Sequence, residues 1–489
     1  MCIRDRDNTT TFDGQKLWQP RAGFNYKFDT ARQTQVRGGA GLFQGAAASV
    51  WLANPFQNNG VATRTTVCNT SAGACPTTDG TFTPAVGVAP PGLTQVTPVP
   101  PIDALAPGLR QPSVWKANIA LDHELPWYGL VFGAEFLKTK VRDGIYYQNY
   151  NLGAPTRIGS DGRELYYNAA AFSQNCWNAS GSSISTGTVN GTNCGQFRSK
   201  AASNDKFGNV LVATGTSQGY SNVATASLSR PMSGGYSWSL AYSYTEAKEV
   251  SPLTSSTSNS TFSGRSVFNP NEEVSANSSY LVKDRISGVF NFQKRFFGAY
   301  KTTFGMFYEG RSGKPYSWTF NNDLNGDSVS GNDLMYIPSA PGSGQVVFAG
   351  DTATSNANET KFWSIVNANG VLRNSKGKVV GRNTDFSPWT NSFDLRIAQE
   401  IPSFIRGHKA VFSFDIFNFG NLLNRRWGRT NEVLFQSGGA QARSFVDFVG
   451  LDAQGRYVYK VRDKVEDLEV RQNKGESQWA IQATVKYEF

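Results

Sequence analysis

Apolar and polar residues alternate with a period of two along much of this chain, most plainly at its end. There Trp479, Ile481, Ala483, Val485, Tyr487 and Phe489 alternate with Gln478, Ala480, Gln482, Thr484, Lys486 and Glu488. Successive side chains of a β-strand point to opposite sides, so this stretch predicts a strand with one apolar and one polar face. The same period recurs upstream in pairs of segments joined by short turns. Ala22, Phe24, Tyr26 and Phe28 precede the turn DTARQ, and Val36, Ala40 and Leu42 follow it. Trp115, Ala117, Ile119 and Leu121 pair through ELPWYG with Leu130, Phe132, Ala134 and Phe136. Ala224, Ala226 and Leu228 pair through RPMSGG with Trp238, Leu240, Tyr242 and Tyr244. Ile286, Gly288, Phe290 and Phe292 pair through KRFFGAYK with Phe304, Met306 and Tyr308. Phe393, Leu395 and Ile397 pair through IPSFIRGHK with Phe412, Phe414 and Ile416. With the closing stretch, eleven alternating segments are expected.

Between these pairs lie long polar excursions. The first is rich in Gly and Pro and ends in VPPIDALAPGLRQP; the others run to about Gln218, across TSSTSNSTFSG, to about Pro388 and to about Glu476. Connections of such length are unusual inside a compact domain. Short turns and long loops alternate strictly, so all short turns fall on one edge of the sheet and all long loops on the other. That asymmetry, with strands of about ten residues and aromatics at their ends, is the pattern of outer-membrane barrels, whose apolar faces meet lipid and whose aromatics form interfacial girdles. A sandwich or propeller would show turn signals every ~8–12 residues instead. The expected fold is an all-β, antiparallel transmembrane barrel with long extracellular loops, located in the bacterial outer membrane.

Composition narrows the classes. The chain holds 33 Phe, 19 Tyr, 11 Trp and 49 Gly in 489 residues, with 39% hydrophobic content and a mean hydropathy of -0.39. No run approaches the roughly 18 apolar residues of a membrane-spanning helix. The net charge of +10 comes from Lys and Arg scattered singly, without a basic helix or patch, so no nucleic-acid partner is expected. The opening MCIRDRDNTT has no apolar core and no small-residue cleavage site. Residues 1–15 are left unassigned, and residues 16–489 are read as the barrel portion, with plug and signal peptide absent.

These segments resemble the C-terminal part of TonB-dependent outer-membrane receptors, in particular the Oar-like group. The matching stretches are RGGAGLFQGAAASVWLANPFQNNG, WKANIALDHELPW with KTKVRDGIYYQN, YEGRSGKPYSWTFNNDLNGDSVSGNDLMYIP, FSFDIFNFGNLLNRRWG and the closing strand. The resemblance implies a 22-stranded barrel, of which eleven segments would be the second half. It also implies uptake of a bulky ligand of siderophore, glycan or peptide class, or a surface adhesion or assembly role without active uptake. The implied partners are outer-membrane lipid, a TonB complex acting through the missing N-terminal part, and an unidentified extracellular ligand. The barrel-assembly machinery would engage the last strand through Trp479, Ile481, Val485, Tyr487 and Phe489.

Little in the chain points to catalysis. The two histidines, His123 and His408, both lie at short turns, poor material for a hydrolytic triad or metallo-hydrolase. GGAGLFQG sits in a strand with no helix after it, so its glycines ease strand curvature rather than bind a dinucleotide. The segment DLNGDSVSGND places Asp323, Asn325, Asp327 and Asp333 as oxygen ligands around Gly326, as a hard cation such as calcium prefers, yet lacks the Glu of an EF-hand. A plain Asx-rich turn is the alternative. Cys68 with Cys75, and Cys176 with Cys194, are spaced for local loop disulfides in an oxidising compartment. Trp51, Phe56, Tyr146, Tyr147, Trp177, Phe362 and Trp363 are the loop aromatics suited to stacking on a ligand, or equally to packing loop against loop.

Overall fold

The computed structural model describes residues 12–60, 101–177, 206–402, 408–433, 439–465 and 474–489, with the short pieces 188–189, 192–193, 204, 405 and 468–470. Eleven long strands form one antiparallel meander in chain order. They are β1 (Arg21–Phe28), β2 (Thr34–Gln44), β3 (Ser113–Glu124), β4 (Val131–Asn149), β5 (Tyr220–Ser233) and β6 (Tyr236–Glu249), then β7 (Asp284–Phe297), β8 (Tyr300–Arg311), β9 (Thr390–Pro402), β10 (Lys409–Phe417) and β11 (Ala480–Glu488). All eleven predicted segments are strands. The short turns lie on one edge and the long connections on the other, as the alternation requires.

Register carries the two-faced pattern across the whole sheet. Tyr26 stands opposite Val36, Val36 opposite Leu121, Leu121 opposite Ala134, Ala134 opposite Ala226, Ala226 opposite Tyr242 and Tyr242 opposite Ile286. Farther along, Trp238, Phe290, Met306, Leu395, Ile416 and Ile481 form a second such row. A slip of one residue would turn every one of these side chains to the other face, so this continuity fixes the register. The opposite face is polar and cross-linked. Arg37 pairs with Asp122, Arg285 with Glu309 at 2.6 Å and Arg396 with Asp415 at 3.1 Å, while Asn118 donates to Glu135 at 3.0 Å.

One glycine shows why small residues stand in β2. A Cβ at Gly38 would lie 2.8 Å from the Phe24 ring and 2.9 Å from the Asn118 carbonyl oxygen, so the bare backbone lets the ring lie across the strand.

The sheet does not close. Among the described residues β1 pairs only with β2, and β11 only with β10. Nor is any described helix long and apolar enough to cross a membrane. The long connections also differ from plain loops. β4 runs for 19 residues, well past the membrane span, because its far end is held by the strand Val210–Thr216, which in turn pairs in parallel with Ile102–Leu105. A helix, Ala357–Ala368, and several short strand pairs complete this upper layer.

The two faces make a direct prediction with adjacent residues. Met306 is on the apolar face and Phe307, its neighbour, on the polar one. Met306→Arg should cost about 2–4 kcal/mol, the penalty for a cation facing mid-bilayer lipid, whereas Phe307→Arg should be nearly neutral. Urea unfolding of the protein in lipid vesicles, followed by tryptophan fluorescence, would measure both; equal costs would refute the facing.

Candidate functional site

The main hydrophobic core lies in the long loops, not in the sheet. Tyr316, Trp318 and Phe320 alternate inward along one short strand region, and the helix Ala357–Ala368 turns Phe362, Trp363 and Val366 to the same centre. A hairpin of Val446–Leu451 and Tyr457–Val461 adds Phe448, Tyr457 and Tyr459. The rings meet edge to face: Trp318 with Phe445 at 5.8 Å, Phe320 with Tyr459 at 5.3 Å and Trp177 with Phe448 at 5.2 Å. Such pairs favour edge-on quadrupole contact and specify one packing. Cys176, also fully buried here, is disulfide-bonded. Cys68, Cys75 and Cys194 lie outside the described residues.

Five of the seven loop aromatics singled out in the sequence are buried, and four of them belong to hydrophobic cores. Tyr146, Tyr147, Trp177, Phe362 and Trp363 are all buried, the last three in the main cluster and Tyr147 in a smaller one with Leu105, Ile145 and Phe262. Trp177, Phe362 and Trp363 pack loop on loop, and Tyr146 and Tyr147 are covered at the far end of β4, so burial removes all five from an outward-facing surface. Trp51 borders the smaller core and donates its indole N–H to the Ser255 carbonyl at 3.0 Å. Phe56 is exposed.

The acidic loop is folded inward. Asp323 accepts from the Gly326 and Ser328 amides at 2.7 and 2.8 Å, Asn325 from the Asp327 amide at 2.8 Å, and Asp327 Oδ1 from the Val329 amide at 2.8 Å. Gly326, at φ +82, makes the turn that brings these amides round, and a Cβ there would strike Tyr167. Burial, and next the charge of Asp333, pushes Asp323 up to about 7. Burial likewise raises Asp327, with Asp323 and Asp333 adding to it. Asp327 Oδ2 and Asn332 Oδ1 are buried acceptors without a hydrogen-bond partner.

Asp333 is engaged differently. Its Oδ1 faces Arg163 at 3.3 Å and its Oδ2 accepts from the Leu324 amide at 2.8 Å. Burial lifts it to about 6 even so. Arg163 is fully buried and also holds Asp161 at 3.3 Å, whose other oxygen accepts from Tyr457 at 2.6 Å. Burial opposes the guanidinium charge, but the two carboxylates outweigh it and hold Arg163 above its ordinary range. Sequence reasoning missed Arg163 and Asp161. The only local signal is the turn dipeptide Asp161-Gly162, and nothing near it points 170 residues ahead to Asp333. No three His, Cys, Asp or Glu side chains among the described residues are set to hold a metal.

A catalytic arrangement does not emerge around the histidines. His123 meets the Thr34 hydroxyl at 2.9 Å and His408 the Tyr487 hydroxyl at 2.8 Å, each between neighbouring strands near a short turn.

A family model described as an outer membrane beta barrel domain matches residues 5–437. Among solved structures the chain is similar to the outer membrane transporter YddB from Escherichia coli, at 10% identity and a TM-score of 0.40, covering 93% of this chain and 38% of that one. It is also similar to a mutant of the ferric enterobactin receptor PfeA from Pseudomonas aeruginosa, at 11% identity and a TM-score of 0.32, covering 81% of this chain and 36% of that one. The chain thus spans well under half the length of either protein. No curated protein matches it in sequence.

Proposed function

The chain belongs to the outer-membrane β-barrel domain family and resides in the bacterial outer membrane, and from that premise we propose that it is the barrel portion of a receptor that takes up a bulky ligand through TonB. One observation carries this reading: a membrane sheet with a polar inner face bears, on one edge only, a large loop assembly with its own packed core. A porin needs little above its rim; capture of a bulky molecule needs a rigid surface outside it. The ligand would be of siderophore, glycan or peptide class. Uptake assays on cells carrying or lacking the gene would test this with a ferric catecholate, a maltodextrin and an oligopeptide as probes. Loss of uptake of one probe on deletion, and in wild-type cells treated with a protonophore, is expected. Unchanged uptake of all three, with loss of cell-to-cell attachment, would support the adhesion reading instead.

The open sheet supports a further part of the proposal, that these strands are half of a 22-stranded barrel. In hydrocarbon an unpaired backbone group costs several kcal/mol, so β1 and β11 need partners on their free edges. The 489-residue chain made alone should therefore aggregate or be degraded. Insertion of that chain as a heat-resistant pore on an unboiled gel would overturn it.

Of the four oxygen ligands read from the sequence, Asn325 is taken up by the Asp327 amide and Asp333 by Arg163 and the Leu324 amide. We also propose that the acidic loop takes a calcium ion through the remaining two, Asp323 and Asp327, with the Asn332 side-chain oxygen as a further ligand. The orphaned acceptors Asp327 Oδ2 and Asn332 Oδ1 support it, since a hard cation satisfies both. Calcium alone should slow proteolysis of the loops in the wild type and leave Asp327→Asn unaffected. Without calcium, Asp327→Asn should be at least as stable as the wild type, because burial disfavours the charged form of Asp327. Equal calcium protection of both would refute it.

A further inference from the structure

The apolar face of the sheet is interrupted in one place. Along β4 the outward-facing residues run Phe132, Ala134, Phe136, and then Lys138 and Lys140. Lys138 stands opposite Asn222 and Lys140 opposite Tyr220, which is itself opposite Lys248 on β6. These positions share the parity of Phe136, Ala224 and Tyr244, so they belong to the face that meets lipid. They lie toward the long-loop edge. At about 3.4 Å per residue, Lys138 and Lys140 sit roughly 7 and 14 Å beyond Phe136, where the apolar band gives way to the outer headgroup level.

The three lysines line one cavity of about 720 Å³ together with Tyr220, Asn222 and Ser275. Among the described residues Lys138, Lys140 and Lys248 form no ion pair. Glu246, on the same face, accepts from the Tyr220 hydroxyl and from the Asn222 amide at 3.4 Å, and the Lys248 charge acts on it without a direct ion pair. The Lys248 ammonium lies 5.7 Å from the Tyr220 ring centre, and exposed Trp115 stands opposite Lys140. Cations on a lipid-facing surface are costly unless they reach the interface and find anions there. Three of them converging on one cavity that the unpartnered Ser275 hydroxyl also lines make an anion site, and the anions at this height are lipid phosphates.

We infer that this cavity binds the phosphorylated headgroup of an outer-leaflet lipid, with Lys138, Lys140 and Lys248 on the phosphates and Trp115 against the headgroup's less polar part. The inference rests on the face that meets lipid and stands whether or not the protein transports anything.

The test uses the protein purified from outer membranes, stripped of lipid in detergent and mixed with phosphatidylcholine vesicles with or without bis-phosphorylated lipid A. Bound lipid is counted by native mass spectrometry after re-extraction. Wild type should retain lipid A preferentially. The triple variant Lys138→Gln, Lys140→Gln, Lys248→Gln should lose at least about tenfold in retention, since each lysine beside an anionic surface is worth about a factor of five. The triple Arg variant should keep it, and Lys294→Gln, at the short-turn end, should change nothing. Heat-modified gel migration would establish that each variant is folded. Undiminished retention by the folded triple Gln variant would overturn the proposal. So would displacement of lipid A by inorganic phosphate alone, which would make the site one for a soluble anion.

Discussion

Replacing Arg163 by Met should destabilise the loop assembly by about 3–5 kcal/mol, the cost of breaking a buried ion pair from one side. The residue has no water to fall back on. Its guanidinium and the side chains of both Asp161 and Asp333 are fully buried. It also donates to the Leu334 carbonyl and lies 4.9 Å from the Phe268 ring centre. Removing it leaves two carboxylates in an apolar setting beside Asp323 and Asp327, which already repel one another. Arg163→Met combined with Asp161→Asn and Asp333→Asn should recover much of the loss, because the charges leave together. Protease sensitivity of the loops on intact cells, with near-ultraviolet circular dichroism of purified protein, would measure the series. A single Arg163→Met variant as resistant as wild type would show that the network contributes nothing.

Phe362→Ala should cost a similar amount, about 3–5 kcal/mol, but by a different mechanism. The ring is fully buried and touches four others: Phe348 at 5.2 Å, Trp363 and Phe445 at 5.5 Å, and Tyr459 at 6.0 Å. It joins the helix Ala357–Ala368 to the hairpin that carries Tyr459, so its loss opens a cavity between two loops that Trp363, Val366 and the Lys361–Asp463 pair at 3.0 Å also connect. The sheet below should stay intact, since its register depends on none of these rings. The expected signature is loss of near-ultraviolet signal and faster loop cleavage, with unchanged strand content and gel migration. Phe362→Leu, which keeps most of the volume, should lose less. A Phe362→Ala protein with wild-type loop stability would mean that the cap is held from elsewhere.

Recognition of the membrane sheet needed only local rules. Whether Trp238 or Ser239 faces lipid follows from a period of two, and the lengths of the connections decide which edge carries the loops; both can be read along the chain without any contact between distant residues. The eleven strands, their faces and the outer-membrane location were therefore legible without any contact being known. The loop aromatics were legible only as aromatics. Phe362 and Phe56 look alike in sequence, and nothing local tells that one is buried in a core while the other is exposed.

What the alternating sequence determined was the sheet, because strand facing is set residue by residue by backbone geometry. What only the tertiary structure decided was everything assembled from distant loops. Arg163 meets Asp333 across 170 residues, Asp161 meets Tyr457 across 296, and Val210–Thr216 extends β4 beyond the membrane. Lys138, Lys140 and Lys248 converge on one cavity only once three strands are in register. Such contacts depend on how long chain segments close on one another, and packing, not periodicity, selects among the closures.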